Sequence, residues 1–250
     1  MSKIALITGA SSGIGEATAI ALDNKGFSTI ICGRNEQKLK ELSAKLKNPS
    51  FISIFDVSHK EEVLTALDSI PAAFSDISVL INNAGNAHGL SSTAEGDIAD
   101  WDAMIGSNVQ GLLYVTKAVL PGMIARGGGH VVNLSSIAGK QTYANGTVYC
   151  ATKKAVEAIS EGIRLDHTKD GIKVTNIAPG AVETNFSEVR FKGDKERAKQ
   201  VYTGYEPLTA YDIADAIVYA VCVPTHVTIA DMTIYASAQS APTTIHKQNT

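Results

Sequence analysis

Cysteine is scarce in this sequence: Cys32, Cys150 and Cys222 are the only three in 250 residues. An odd, widely spaced set is no disulfide framework. Free thiols fit a reducing compartment, so a cytoplasmic location is expected. The six histidines are scattered without HxxxH spacing and no CxxC pair accompanies them, so no resident metal is expected. Long apolar runs are missing too. None reaches the ~18 residues that a membrane span needs, and the run before the first glycines is too short for a signal peptide. Charge of one sign is also lacking. A net charge of −3 leaves no bulk electrostatic grip on nucleic acid or anionic lipid. Proline-rich and serine-rich linkers are absent, so residues 1–250 read as one domain. Hydrophobic residues make up 44%, enough for a sizeable core and too many for a disordered chain.

What is present is an alternation of short apolar runs with longer amphipathic segments. Strands are expected at 3–8, 28–32, 51–55, 77–81, 130–135, 172–177 and 231–235. Helices are expected at 14–25, 35–47, 59–69, around 100–125, from about 148 to 169 and near 210–222. Strands this rich in Val and Ile are apolar on both faces, as when helices cover each side of a sheet. The pattern predicts an α/β fold of the Rossmann type: a doubly wound parallel sheet of about seven strands with helices on both faces. Residues 183–205 interrupt the alternation as a long polar insert. Such a loop either covers a site or is a bland surface helix, and both readings stand at this point.

The first strand runs into Thr8-Gly9-Ala10-Ser11-Ser12-Gly13-Ile14-Gly15, which opens the first helix. Gly9 and Gly13 can adopt backbone angles closed to other residues, and Gly15 lets the helix approach the sheet. The helix start, with Ser11, Ser12 and Ile14, offers N–H and hydroxyl donors to a pyrophosphate. The spacing is GxxxGxG, not GxGxxG. The second strand ends Cys32-Gly33-Arg34-Asn35, with no carboxylate before Glu36. A free ribose diol is held by an acidic residue at such a strand end. Arg34, with Asn35 beside it, suits a 2′-phosphate instead. The expected cofactor is therefore NADP(H), against the plain reading of Arg34 as a surface cap.

Tyr149 and Lys153 lie four apart at a helix start, which puts both side chains on one face. A nearby ammonium favours phenolate, making the tyrosine usable as an acid or base. Ser136 closes the fifth strand and Asn108 lies in the preceding helix, so both belong at the carboxyl edge of the sheet. Taken in order, TGASSGIG, Asn82-Asn83-Ala84-Gly85, Asn108, Ser136, YCATK and Pro179-Gly180 resemble the short-chain dehydrogenase/reductase family over essentially the whole chain.

That resemblance implies an oxidoreductase acting on CH–OH groups. It implies that Ser136 polarises the substrate oxygen, Tyr149 moves the proton, Lys153 lowers the tyrosine pKa and holds the nicotinamide ribose, and Asn108 anchors a water in a proton relay. The family's serine-to-tyrosine spacing of thirteen residues selects Ser136 over its neighbour Ser135. The resemblance assigns Asp56 and Val57 to the adenine, Asn83 to a cofactor contact, and Pro179, Gly180, Val182 and Thr184 to the loop closing on the nicotinamide. It also implies a homotetramer.

Residues 186–194, the later THVTIADM and Gln239-Ser240 resemble a narrower subgroup. Its members oxidise serine, allo-threonine and other 3-hydroxy acids with NADP, and reduce malonic semialdehyde and related carbonyls. A carboxylate substrate needs a fixed cation, and Arg190 on the insert is the candidate. The alternation of Arg190, Lys192, Lys195, Arg197 and Lys199 with acidic residues equally describes a solvated helix. Cys150 is turned away from Tyr149 and is expected to pack. His88 is left outside the expected site. A reductase of another small ketone or aldehyde, and a non-catalytic NADP-binding protein on the same fold, remain as alternatives.

Overall fold

Strand and helix alternate from the N-terminus onward in a computed structural model that describes residues 3–247. The elements are β1 (Ile4–Thr8), α1 (Gly13–Asp23), β2 (Ser28–Gly33), α2 (Glu36–Ser43), β3 (Ser50–Ile54), α3 (Lys60–Asp68), β4 (Ile77–Asn82) and α4 (Ile98–Ile105). A π-helical segment (Gly106–Gly111) leads into α5 (Leu112–Ala125), followed by β5 (Gly129–Leu134), α6 (Ile137–Lys140), α7 (Thr147–His167) and β6 (Ile172–Pro179). The chain finishes with α8 (Phe186–Arg190), α9 (Lys195–Gln200), α10 (Ala210–Cys222), β7 (Asp231–Ile234) and a hairpin of β8 (Gln239–Ala241) with β9 (Thr244–Ile245).

The main sheet has seven parallel strands in the order β3-β2-β1-β4-β5-β6-β7. Alternate residues of the inner strands feed two cores. Ala5, Ile7, Ile31, Ile81 and Val132 pack under Leu22 of α1 and Ile213 and Ile217 of α10. Leu6, Ile30, Leu80, Val131 and Val174 pack under Val63 of α3 and Val115 and Met123 of α5. Burial on both faces is why the strands read as unbroken apolar runs. Strand order reverses beside β1, where the chain leaves for β2 on one side and returns as β4 on the other. The carboxyl ends of β1 and β4 therefore diverge, and a cleft opens there.

Three segments differ from the sequence expectation. The helix expected over 100–125 is two α-helices joined by the π segment, with Asn108 inside it. The helix expected over 35–47 ends at Ser43. The insert at 183–205 carries two short helices, α8 and α9. Among the described residues no helix is long and apolar enough to cross a membrane.

Candidate active site

A cleft of about 810 Å³ lies along the carboxyl edge of the sheet. At one end β1 delivers the glycine turn. Gly9 (φ +65°) and Gly13 (φ +57°) hold left-handed conformations, and a side chain on Gly9 would press within 2.9 Å of the Asn83 amide. A side chain on Gly15 would meet the Gly9 carbonyl, so this glycine sets how closely α1 approaches the turn. Gly15 itself does not line the cleft, whereas Gly9, Ser11, Ser12, Gly13 and Ile14 do. The first main-chain bond of α1 runs from Glu16 N–H to Ser12 O at 3.4 Å, and the Ser12 hydroxyl does not cap the helix. The N–H groups before Glu16 are thus the free positive end of the helix.

Asn83 lines the cleft, yet its amide donates to the Thr8 and Gly9 carbonyls at 2.9 and 3.2 Å. Thr8 returns the tie, its hydroxyl accepting the Asn83 and Ala84 N–H groups at 3.0 Å each. The Asn83 side chain thus staples the end of β4 to the glycine turn, at the cleft wall where the resemblance expects a cofactor contact.

Arg34 leaves the end of β2 with its side chain 77% exposed and an ion pair to Asp56 at 3.1 Å. Ser11 stands close by, since a Cβ on Gly33 would be 3.5 Å from its hydroxyl. Burial pushes the Asp56 carboxyl upward, but hydrogen bonds from Ser58 and the Arg34 guanidinium outweigh it and hold the group below its ordinary value. Asp56 and Val57 line the cleft as expected. Asn35 does not: its side chain caps α2, accepting the Lys38 N–H at 3.0 Å.

At the other end α7 presents Tyr149 and Lys153, 8% and 6% exposed. The Lys153 ammonium donates to the Leu134 carbonyl at 2.8 Å and lies 5.9 Å from the Tyr149 ring centre. Burial lowers it to about 8. The Tyr149 phenol is shut away from water. Burial drives it well above its ordinary value and Tyr143 adds to the rise, while Arg190 and a hydrogen bond with Ser136 pull it back. Among the charged side chains beside it, Arg190 eases its ionisation most.

The two adjacent serines separate cleanly. Ser135 is buried and donates to the Lys153 carbonyl at 3.0 Å, so it holds α7 to the sheet. Ser136 caps α6, accepting the Ala138 N–H at 3.1 Å, and hydrogen-bonds toward the Pro179 carbonyl at 3.4 Å. Asn108 is buried behind the cleft wall. Its side chain accepts from Asn86 N–H (2.8 Å) and donates to Asn86 O (2.8 Å) and Thr152 (3.1 Å). With those groups engaged, any water at this residue must bind its main chain.

Pro179, Gly180, Val182 and Thr184 line the cleft where β6 ends. Gly180 is packed against Gln239, whose side chain accepts the Ala181 N–H at 2.8 Å. The hairpin thereby brings Pro242, Thr243 and Ile245 to the cleft wall. Arg190 does not join the solvated face. Its guanidinium sits 5.3 Å from the Tyr149 ring centre and 5.6 Å from that of Tyr143, donating to the Tyr143 hydroxyl at 2.6 Å. Phe186 packs on Tyr149 with ring centres 5.7 Å apart. Tyr143, Phe186 and the hairpin residues were not foreseen. Phe186 and Gln239 carried a sequence signal only as parts of the subgroup resemblance. Cys150 packs with Met104, Ala87 and Ala138, as expected.

The family model described as short chain dehydrogenase matches residues 3–195. An NADP-dependent 3-hydroxy acid dehydrogenase of Escherichia coli O6:H1 is 39% identical over 247 residues, covering 98% of this chain and all of that one. A sulfoacetaldehyde reductase of Chromohalobacter salexigens is 38% identical over 243 residues, 96% of each chain. A closed serine dehydrogenase complexed with NADP+ superposes with a TM-score of 0.93 at 39% identity, over 95% of this chain and 96% of that one. Similarity of this extent, spread over the glycine turn, the tyrosine helix and the segment that covers them, makes the chain a member of the short chain dehydrogenase family.

Proposed function

We propose that the chain is an NADP-dependent oxidoreductase that interconverts a small 3-hydroxy acid, of the serine, allo-threonine or 3-hydroxypropionate type, and its 3-oxo acid or semialdehyde. The observation that carries this reading is Arg190, a guanidinium held 5.3 Å from the Tyr149 ring inside the cleft. One small molecule can touch both residues. A carboxylate on the guanidinium, held by charge-assisted hydrogen bonds, fixes the oxygen on C3 against the phenol.

The residues present fit the cofactor. The free start of α1 with Gly9, Ser11, Ser12, Gly13 and Ile14 suits the pyrophosphate, and any side chain on Gly9 would crowd that turn. Asp56 and Val57 border the adenine end, and exposed Arg34 suits the 2′-phosphate. Pro179, Gly180, Val182 and Thr184 flank the nicotinamide end, where Lys153 serves the ribose. Bound NADP(H) supplies the hydride exchange at its nicotinamide. In reduction Tyr149 donates its hydroxyl proton to the carbonyl oxygen, and in oxidation it takes that proton back. Ser136 holds the same oxygen. Asn108, through its main chain, anchors the water that refills the proton by way of Lys153.

A test separates acids from other substrates. Arg190→Met is expected to lower kcat/KM about thirtyfold toward 3-hydroxy acids and their oxo forms, the loss of a hydrogen bond to a charged group. Turnover of an uncharged carbonyl should change little. Equal losses with both classes would sink the assignment. The relative named sulfoacetaldehyde reductase supports a second reading, reduction of another small carbonyl compound, with the same arginine gripping a sulfonate. A homotetramer and a cytoplasmic location belong to the proposal. Exposed Ile98 and Leu165 and the sparse cysteines support them.

A further inference from the structure

Helix α8 ends in a Schellman turn. The Gly193 N–H donates to the Glu188 carbonyl at 2.9 Å and the Lys192 N–H to the Val189 carbonyl at 3.1 Å. The residue at Lys192's place in such a turn is left-handed and usually glycine. Here it is lysine with φ +54°, although Gly193 follows directly. A side chain in that conformation strains the backbone, and such an outlier directs attention to what the side chain does. Its ammonium lies 3.0 Å from Asp100 Oδ1 and 3.7 Å from Asp97 Oδ2, at the start of α4. The Asp100 side chain is only 16% exposed.

The same joint holds Arg190. Gly89 N–H donates to the Arg190 carbonyl at 3.0 Å, and Arg190 Nε donates back to the Gly89 carbonyl at 3.4 Å. Gly89 is itself left-handed (φ +67°), and a Cβ there would lie 3.1 Å from Asp100 Oδ2. A five-residue helix such as α8 cannot hold itself in place. Its orientation comes from its anchors. Beside the contacts of Phe186 with Tyr149 and of Arg190 with Tyr143, these are the Ser187–Tyr202 hydrogen bond at 2.7 Å and the joint at Lys192.

We propose that Lys192 and Asp100 are positioning residues, whose ion pair latches the 183–205 segment onto the start of α4 and fixes the Arg190 guanidinium over Tyr149. This rests on the reading that Arg190 grips the substrate's acid group. Both charges lie outside the reacting centre, so the latch reaches Tyr149 only through Arg190, and its loss is read first in substrate affinity. Its loss frees a long, many-rotamer side chain that must be ordered again at each binding event.

Lys192→Gly tests this sharply, because glycine relaxes the turn while removing the ammonium. Thermal stability should hold or rise. KM for a 3-hydroxy acid should rise about fivefold, the scale of a well-placed exposed ion pair. The kcat, and NADPH binding followed by fluorescence, should stay put. Asp100→Asn should reproduce the KM rise, and Lys192→Arg should restore the low KM. An unchanged KM in Lys192→Gly, in a protein whose Arg190→Met variant shows a raised one, overturns the latch alone. A KM raised in Lys192→Gly but unchanged in Asp100→Asn puts the effect in the backbone turn and overturns it too. If Arg190→Met also leaves KM unchanged, the acid-grip reading falls and the latch falls with it.

Discussion

Tyr149→Phe is expected to lower turnover by a factor of about 10³, within the range of a lost general acid–base group. The substitution removes one oxygen and keeps the ring, so the packing against Phe186 survives. A buried hydroxyl is lost without opening a cavity, and the fold should be as stable as before. NADPH binding, measured by fluorescence or calorimetry, should be intact, because the glycine turn and Arg34 lie at the other end of the cleft. Retention of a tenth or more of the activity would place the proton donor elsewhere. The same residue sets the pH dependence. Burial raises the Tyr149 pKa, so the phenol is protonated through neutral pH and ready to donate. Carbonyl reduction should therefore be flat at neutral pH and fall above about 8, where Lys153 loses its charge. Alcohol oxidation needs the deprotonated phenol and should climb with pH over the neutral range. Initial rates in both directions across one buffer series decide this. Parallel profiles would mean that Tyr149 is not the group that titrates.

The inner strands were legible because each is buried on both faces, which leaves a short, unbroken apolar run. The glycine turn was legible because a backbone that tight needs glycine at Gly9 and Gly13. The π segment was hidden. It differs from an α-helix only in which carbonyl each N–H meets, and side-chain spacing over 106–111 barely registers that. Arg190 was readable as a residue but not as a place. Its charge pattern matches Lys195, Arg197 and Lys199, and only the fold turns α8 inward while α9 stays solvated. Asn35 and Asn83 show the converse. Their positions were readable, but not the bonds of their side chains to the main chain, because an asparagine beside a turn makes these as readily as it meets a ligand. The β8–β9 hairpin was out of reach, since it depends on Gln239 meeting Gly180 from the far end of the chain.

Arg34→Asp is expected to shift the ratio of kcat/KM for NADPH over NADH by about 10²-fold or more toward NADH. Hydrogen bonds from a guanidinium to a phosphate contribute about 1.5–3 kcal/mol each, and the introduced carboxylate adds repulsion against the same phosphate. It also supplies the acceptor that a free ribose diol seeks at the end of the second strand. The fold should tolerate the change. Arg34 is 77% exposed and its one ion partner, Asp56, keeps its bonds to Ser58 at 2.7 and 2.9 Å. Exposed pairs of this kind stabilise a fold by under about 1 kcal/mol. Arg34→Ala separates the two contributions: NADPH affinity should drop while NADH affinity stays where it was. Rising salt should weaken NADPH binding in the native chain more than in either variant, because the lost contact is the screened one. If the ratio holds in Arg34→Asp, the 2′-phosphate is read by some other group, and the exposed arginine at the end of β2 serves only its neighbour Asp56.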